Sequence, residues 1–325
     1  MSAKTPLLAV EHLRTVFPGR GGRDAAAVDD VSFTIARGET LGLVGESGSG
    51  KSMTALSIVG LVSRPGRVAA GSIRFDGQEL VGLDDRAMSR IRGRRIGFIF
   101  QEPMVALDPV YTIGQQIEET LAIHGLARGS AARRQTIELL DAVRIPDPER
   151  RAREYPHQLS GGLRQRAMIA VALSARPDLV IADEPTTALD VTVQAEILEL
   201  LADMRRTFQL SLLLITHDLG VVATMADRVA VMYAGQVVEI GATRDVLGRP
   251  GHPYTQALLA SIPGATSGAR LRTIAGVVPP LDDRPLGCRF APRCPDRFAP
   301  CGRDPEDANL GHGHSARCFL HEAHR

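Results

Sequence analysis

Short apolar runs, broken by glycine-rich or polar stretches, organise this chain. LLAVEHLRTVF (7–17) reads as a first strand and PGRGGRD (18–24) as a loop. VSFTI (31–35) alternates apolar and polar positions, as a half-buried strand does. Arg37-Gly38-Glu39 marks a turn, and LGLV (41–44) is then apolar throughout, as in a strand buried on both faces. A glycine-rich loop leads into a helical stretch at 51–62, and GSIRFDG (71–77) reads as strand and turn. Residues 113–145 carry helical periodicity, and 159–175 predict a helix entered through Ser-Gly-Gly. LVIADE (179–184), residues 192–208 and LSLLLITHD (210–218) predict strand, helix and strand. Such alternation with continuous apolar strands argues for a parallel α/β sheet, with 102–160 as a helical insertion.

Candidate chemistry sits at the ends of these elements. GESGSGKS (45–52) matches G-x-x-x-x-G-K-[ST] between a buried strand and a helix, the context that motif requires. The backbone N–H groups of Gly45, Glu46, Ser47, Gly48, Ser49 and Gly50 would wrap phosphates. Lys51 would reach the β- and γ-phosphates, and the Ser52 hydroxyl would ligate Mg²⁺. The helix that starts there adds its positive N-terminal dipole. Lysine occurs only at Lys4 and Lys51, which sets Lys51 apart. Asp183, closing LVIAD, fits the acidic Mg²⁺ partner, and Glu184 beside it is the candidate general base. LSGGLRQR (159–166) supplies a second anion-binding helix start, with Ser160 as cap and Gly161-Gly162 allowing close backbone approach.

GESGSGKS, LSGGLRQR and LVIADEP, in this order and spacing, resemble the ATP-binding subunits of ABC transporters. The resemblance covers nearly the whole chain and extends to Gln101 in FIFQEP, Ala188-Leu189-Asp190 and His217 in LITHD. It implies a P-loop NTPase (RecA-like) α/β core with an antiparallel β subdomain, a helical subdomain and a cysteine-containing C-terminal extension. The implied boundaries are 1–101 and 166–245 for the core, 102–165 for the helical signature subdomain and 246–325 for the extension.

The resemblance further implies a head-to-tail dimer, in which ATP lies between Lys51 of one chain and Ser160-Gly161-Gly162 of the other. Gln101 would sense Mg²⁺ and the γ-phosphate, His217 would contact the γ-phosphate, and Asp190 would cross the interface. Phe17 stands where the family keeps an aromatic that stacks on adenine; a core phenylalanine of the first strand is the alternative. IFQEPMVALDP (99–109), GHPYTQALLASIP (251–263) and GCRFAPRCPDRFAPC (287–301) resemble the oligopeptide/dipeptide/nickel importer branch. That branch implies ATP hydrolysis driving import of peptides or a related small solute. It also implies a second ATP-binding subunit, two transmembrane permease subunits and an extracytoplasmic solute-binding protein, with peripheral attachment to the cytoplasmic face of the inner membrane. A soluble ABC-type ATPase of repair, translation or Fe–S assembly is the rival class; such proteins usually carry paired cassettes or large inserted modules, which this chain lacks.

Composition narrows the picture. The chain has 325 residues, with 44% hydrophobic and 23% charged, ordinary for a globular protein. Aromatics are 4% with no Trp, which argues against a stacking platform for single-stranded nucleic acid. A formal charge of +1 gives no general attraction to nucleic acid or an anionic surface. No apolar run approaches the ~20 residues of a membrane-spanning helix.

Beyond about residue 245 the chain turns proline-rich and carries all four cysteines, so it reads as a separate small unit taking no part in the ATP chemistry. Cys288, Cys294, Cys301 and Cys318 are spaced C-x5-C-x6-C-x16-C. A structural zinc site usually shows a C-x2–4-C pair, and disulfides are disfavoured in a cytosolic chain. Four thiolates suit an iron–sulfur cluster; zinc or no metal are the alternatives. In some members of the resembled branch this tail holds a 4Fe–4S cluster. His312, His314, His321 and His324 lie nearby and read as a solvated end rather than as ligands, with His314 the one able to replace a cysteine.

Overall fold

The computed structural model describes residues 5–187, 189–261 and 274–324. Lys4, Ala188 and residues 262–263 of the importer-like stretch lie outside them, as does the His324 side chain. The chain divides into two compact units. The first comprises Met1–Ala36, Thr40–Val81 and Leu214–Arg325; the second comprises Arg37–Glu39 and Gly82–Leu213.

The first unit opens with β1 (Leu8–Pro18) and β2 (Asp24–Ile35), an antiparallel pair. β3 (Thr40–Val44) is buried at every position, as its unbroken apolar run predicts. The glycine-rich stretch GESGSGKS follows, then α1 (Lys51–Ile58). This helix stops short of the predicted residue 62 because Gly60 turns left-handed, with φ 62°. β4 (Arg67–Phe75) and β5 (Gln78–Glu79) complete an antiparallel sheet in the order β2-β1-β4-β5.

The second unit runs through α2 (Asp85–Ser89), β6 (Ile96–Ile99) and the short α3 (Pro103–Ala106). The helical stretch predicted at 113–145 is two helices, α4 (Ile113–Ile123) and α5 (Gly129–Ala142), parted where Gly125 and Gly129 take positive φ. Thr112 and Gln115 close a capping box that fixes the start of α4. A single turn, α6 (Pro148–Arg151), precedes α7 (Gly161–Leu173). α4 and α5 both pack against α7, whose Ala167, Met168, Ile169 and Ala170 are buried. β7 (Leu179–Asp183) pairs in parallel with β6, and α8 (Val191–Phe208) follows. β8 (Ser211–Thr216) carries the chain back into the first unit.

There α9 (Leu219–Met225) leads into β9 (Arg228–Tyr233), which pairs in parallel with β3. β10 (Gln236–Ala242) turns back antiparallel to β9. α10 (Thr243–Gly248) and α11 (Pro253–Ala260) follow, and the extension ends in the hairpin β11 (Asp307–Gly311) and β12 (His314–Arg317).

The extension is not the separate unit its composition suggests. β12 joins β10 edge to edge, and Phe290 packs into one core with Val44, Val231, Tyr233 and Tyr254. A buried carboxylate fastens the join. Glu239 on β10 is 1% exposed and accepts from Gly251 N–H (2.7 Å), His252 N–H (2.9 Å) and His314 Nε2 (2.7 Å). Three donors are what such a group needs once it is removed from water. His314 is therefore committed to Glu239 rather than to the thiols. The compact units cut across the sequence-based division in a second way, since 102–165 falls within one unit with β6, β7 and α8.

Candidate active site

Gly45 leaves β3 at φ 156°, and a Cβ there would sit 2.2 Å from the Met232 carbonyl oxygen. Gly50, at φ 105°, lies against the Ala27 carbonyl and the Cα of Gly235. The loop is held as a unit: Ser49 N–H donates to Glu46 O (3.2 Å), and Gly235 N–H donates to Ser49 O (2.8 Å). No side chain caps the start of α1, so its first N–H groups face the loop that Ser47 and Gly48 complete. Lys51 is 4% exposed, and its ammonium donates to the Gly45 carbonyl at 2.7 Å and the Glu46 carbonyl at 3.1 Å. Ser52 follows, half-buried. This is a cationic, glycine-built cradle formed by main chain.

In the second unit, Asp183 closes β7 at 6% exposure. Glu184 then takes a left-handed backbone, φ 46°, rare for a residue with a side chain. Its Oε2 accepts from Thr187 Oγ1 at 2.8 Å and Gln101 Nε2 at 3.3 Å. The structure thus brings together Gln101 and Glu184, 83 positions apart. Thr187 is a partner the sequence reading missed; a hydroxyl three residues after the acid was its only signal.

Ser160 caps α7 by accepting from Leu163 N–H at 3.4 Å, and Gly161 is exposed beside it. A Cβ on Gly162 would come within 3.0 Å of Val193, so glycine lets α7 lie close to α8. Asp190 caps α8, accepting from Thr192 N–H (3.1 Å) and Val193 N–H (3.0 Å). In the first unit, His217 is exposed just after β8. Phe17 is half-buried with its ring over Gly66, where a Cβ would meet ring atoms at 2.5 Å.

Comparison with known proteins decides the family. Residues 28–187 match the ABC transporter model, and 238–301 match the oligopeptide/dipeptide transporter C-terminal region. The chain is 51% identical over 320 residues to the oligopeptide transport ATP-binding protein AppD of Bacillus subtilis, covering 97% of each. The chain belongs to the ABC transporter ATP-binding family. The dipeptide transport ATP-binding protein DppD of Haemophilus influenzae is 53% identical over 287 residues, covering 88% of this chain and 87% of that one. An ATP-binding cassette solved as a dimer in a post-hydrolysis state with ADP and Pi superposes with a TM-score of 0.64 at 29% identity. It covers 73% of this chain and 99% of its own.

As an ABC ATPase, the subunit hydrolyses ATP in the service of solute import, and the rival class of ABC ATPases uncoupled from transport is not favoured. No helix among the described residues is long and apolar enough to cross a membrane. The fold is the P-loop α/β cassette with an antiparallel sheet, helices and a C-terminal extension.

The extension gathers the thiols of this ATP-binding subunit. All four cysteines are free, and Cys288 and Cys294 pack against the Tyr233–Phe290 core. Burial pushes the Cys318 thiol up to about 11; Leu320 N–H opposes this, and the Cys288, Cys294 and Cys301 thiols add to it. Burial also raises Cys288, opposed by the N–H groups of Phe290 and Ala291, and raises Cys294, opposed by that of Asp296. The four sulfurs therefore lie within electrostatic reach of one another. Among the described residues, no three His, Cys, Asp or Glu side chains are arranged to hold a metal ion.

Proposed function

We propose that this subunit powers the uptake of peptides or a related small solute. The observation that carries the reading is the 51% identity to an oligopeptide transport ATP-binding protein over 97% of both chains. It works as one of two ATP-binding subunits, a second copy or a paralogue, on two transmembrane permease subunits fed by an extracytoplasmic solute-binding protein. Its place is peripheral, on the cytoplasmic face of the inner membrane, and it has no nucleic-acid partner.

Within the subunit, the N–H groups of Gly45–Ser52 and the Lys51 ammonium hold the ATP phosphates. Lys51 exchanges the Gly45 and Glu46 carbonyls for phosphate oxygens as nucleotide enters. Ser52, Gln101 and Asp183 would hold Mg²⁺, which when bound would supply positive charge against the β- and γ-phosphate oxygens. Glu184 accepts the proton of the attacking water, with its carboxylate aimed by Thr187 and Gln101. His217 contacts the γ-phosphate, and Phe17 stacks on the adenine. Ser160, Gly161, Gly162 and Asp190 act across a head-to-tail dimer.

Mixing Lys51→Ala chains with Ser160→Arg chains tests the shared site. Each variant alone is expected to lose ATPase activity. In the mixed dimer of identical frames, one site carries both lesions and the other neither, so activity returns on mixing. Two single variants with unimpaired turnover would end the shared-site reading.

We also propose that Cys288, Cys294, Cys301 and Cys318 hold a 4Fe–4S cluster. Four free thiols within electrostatic reach of one another, three of them accepting from main-chain N–H groups, support it. Ligation there crosslinks the extension, because binding energy at such a site is folding energy. Protein purified anaerobically should be brown, with iron and acid-labile sulfide in similar amounts, and Cys294→Ser should remove the colour. Colourless protein containing zinc would assign the thiols to zinc; protein with neither metal would leave the extension a packing element.

A further inference from the structure

Only Glu46 and Lys51 carry charge among the eight residues of the phosphate loop. Lys51 is explained by phosphate; Glu46 is not, and an acid beside a polyanion site needs a cation of its own. Arg293 of the extension supplies it. Its Nη1 donates to Glu46 Oε2 at 2.7 Å and its Nη2 to Glu46 Oε1 at 3.0 Å, a two-pronged pairing across 247 positions.

The Arg293 side chain is only 5% exposed. Nε donates to the Ala275 carbonyl at 2.8 Å, Nη1 also to Tyr233 Oη at 3.3 Å, and the guanidinium lies over the Tyr233 ring at 5.7 Å. Its direction is therefore fixed before it meets Glu46. A second anchor holds the same loop residue from the same side: Glu46 N–H donates to the hydroxyl of buried Tyr254 at 2.9 Å. The Glu46 carbonyl in turn receives Lys51 Nζ at 3.1 Å. Main chain and side chain of Glu46 are thus both pinned from downstream of residue 250, and the lysine rests on what is pinned.

We propose that Arg293 is a positioning residue of the nucleotide site: by clamping Glu46 it sets the loop geometry in which Lys51 meets phosphate. The proposal rests on Gly45–Ser52 being the ATP phosphate loop. It makes the extension a working part of the nucleotide site. The turn that bears Arg293 also bears two of the thiols, since Arg293 N–H donates to Phe290 O (2.9 Å) and Ala291 N–H to Cys288 O (3.0 Å).

The test is Mg·ADP affinity and steady-state ATPase of the full-length subunit in Arg293→Met, Arg293→Lys, Glu46→Gln and the double variant Arg293→Met/Glu46→Gln. Arg293→Met should weaken Mg·ADP by about 10-fold, the scale expected when one charge-assisted pairing is lost. KM for ATP should rise more than kcat falls, and Arg293→Lys should recover part of the affinity. The double variant should be no weaker than Arg293→Met alone, because both changes remove one interaction. Additive losses, or unchanged affinity in Glu46→Gln, would overturn the clamp; that variant alters a part-exposed loop residue and leaves the Arg293 core in place. Lys51→Ala is the control for the underlying reading. If Lys51→Ala binds Mg·ADP like the parent protein, the loop assignment fails, and the clamp with it.

Discussion

Glu184→Gln keeps Mg·ATP binding and slows hydrolysis by about 10²–10⁴-fold, the usual worth of a general base. The substitution is conservative in every respect but one. Glutamine has the same shape and can present one oxygen to Thr187 Oγ1, as Glu184 Oε2 does now at 2.8 Å. The left-handed backbone at φ 46° is equally costly for either residue, so strain does not distinguish them. What is lost is the ability to take a proton from water. Single-turnover hydrolysis measured alongside nucleotide binding separates the two effects. Tight binding with slow turnover, and an ATP-bound dimer that persists, is the expected pattern; parent-like turnover would remove Glu184 from the role of base.

Gly45→Ala should weaken nucleotide binding by about 10–100-fold, the scale of one charge-assisted hydrogen bond lost at the loop. The methyl group would sit 2.2 Å from the Met232 carbonyl oxygen and 2.8 Å from Ser49 Oγ. Met232 lies on β9, which is hydrogen-bonded along β3, so neither strand can yield without breaking the pairing. The loop must move instead, and with it the carbonyl on which Lys51 rests. A stability loss of about 2–4 kcal/mol accompanies the shift, from overpacking and backbone strain together. Gly48→Ala is the internal comparison: φ is 79°, but nothing lies within 4 Å of the added carbon. It should cost only about 1 kcal/mol. Urea denaturation with nucleotide titration reads both quantities. A Gly45→Ala protein as stable as Gly48→Ala would show that the loop has room the structure does not give it.

The central strands were legible because burial on both faces leaves an unbroken apolar run, as in β3, β7 and β8. The start of α7 was legible through its cap, since Ser160 accepts from an N–H group of the turn it opens; that Asp190 likewise caps α8 emerged only in the structure. Helix ends were less so, since Gly60 and Gly125 stop α1 and α4 inside stretches whose periodicity continues. Glu184 was visible as an acid at a strand end, but its left-handed backbone and its Thr187 partner were not. The extension was misread most. Proline and cysteine content made it look detached, whereas β10 carries a buried glutamate whose partner lies 75 positions away. Pairings at that separation, like Arg293 with Glu46, leave no periodic trace along the chain.

That glutamate constrains how such a cassette can change over generations. Glu239 without His314 would be a buried acid short of a donor, and the hairpin without Glu239 would leave the Gly251 and His252 N–H groups unanswered. Breaking a buried pair from one side costs about 3–5 kcal/mol. That is a large part of the 5–15 kcal/mol by which a typical domain stays folded. Positions 239 and 314 should therefore covary among relatives, and the terminal hairpin should be inherited or lost together with its acid rather than piece by piece.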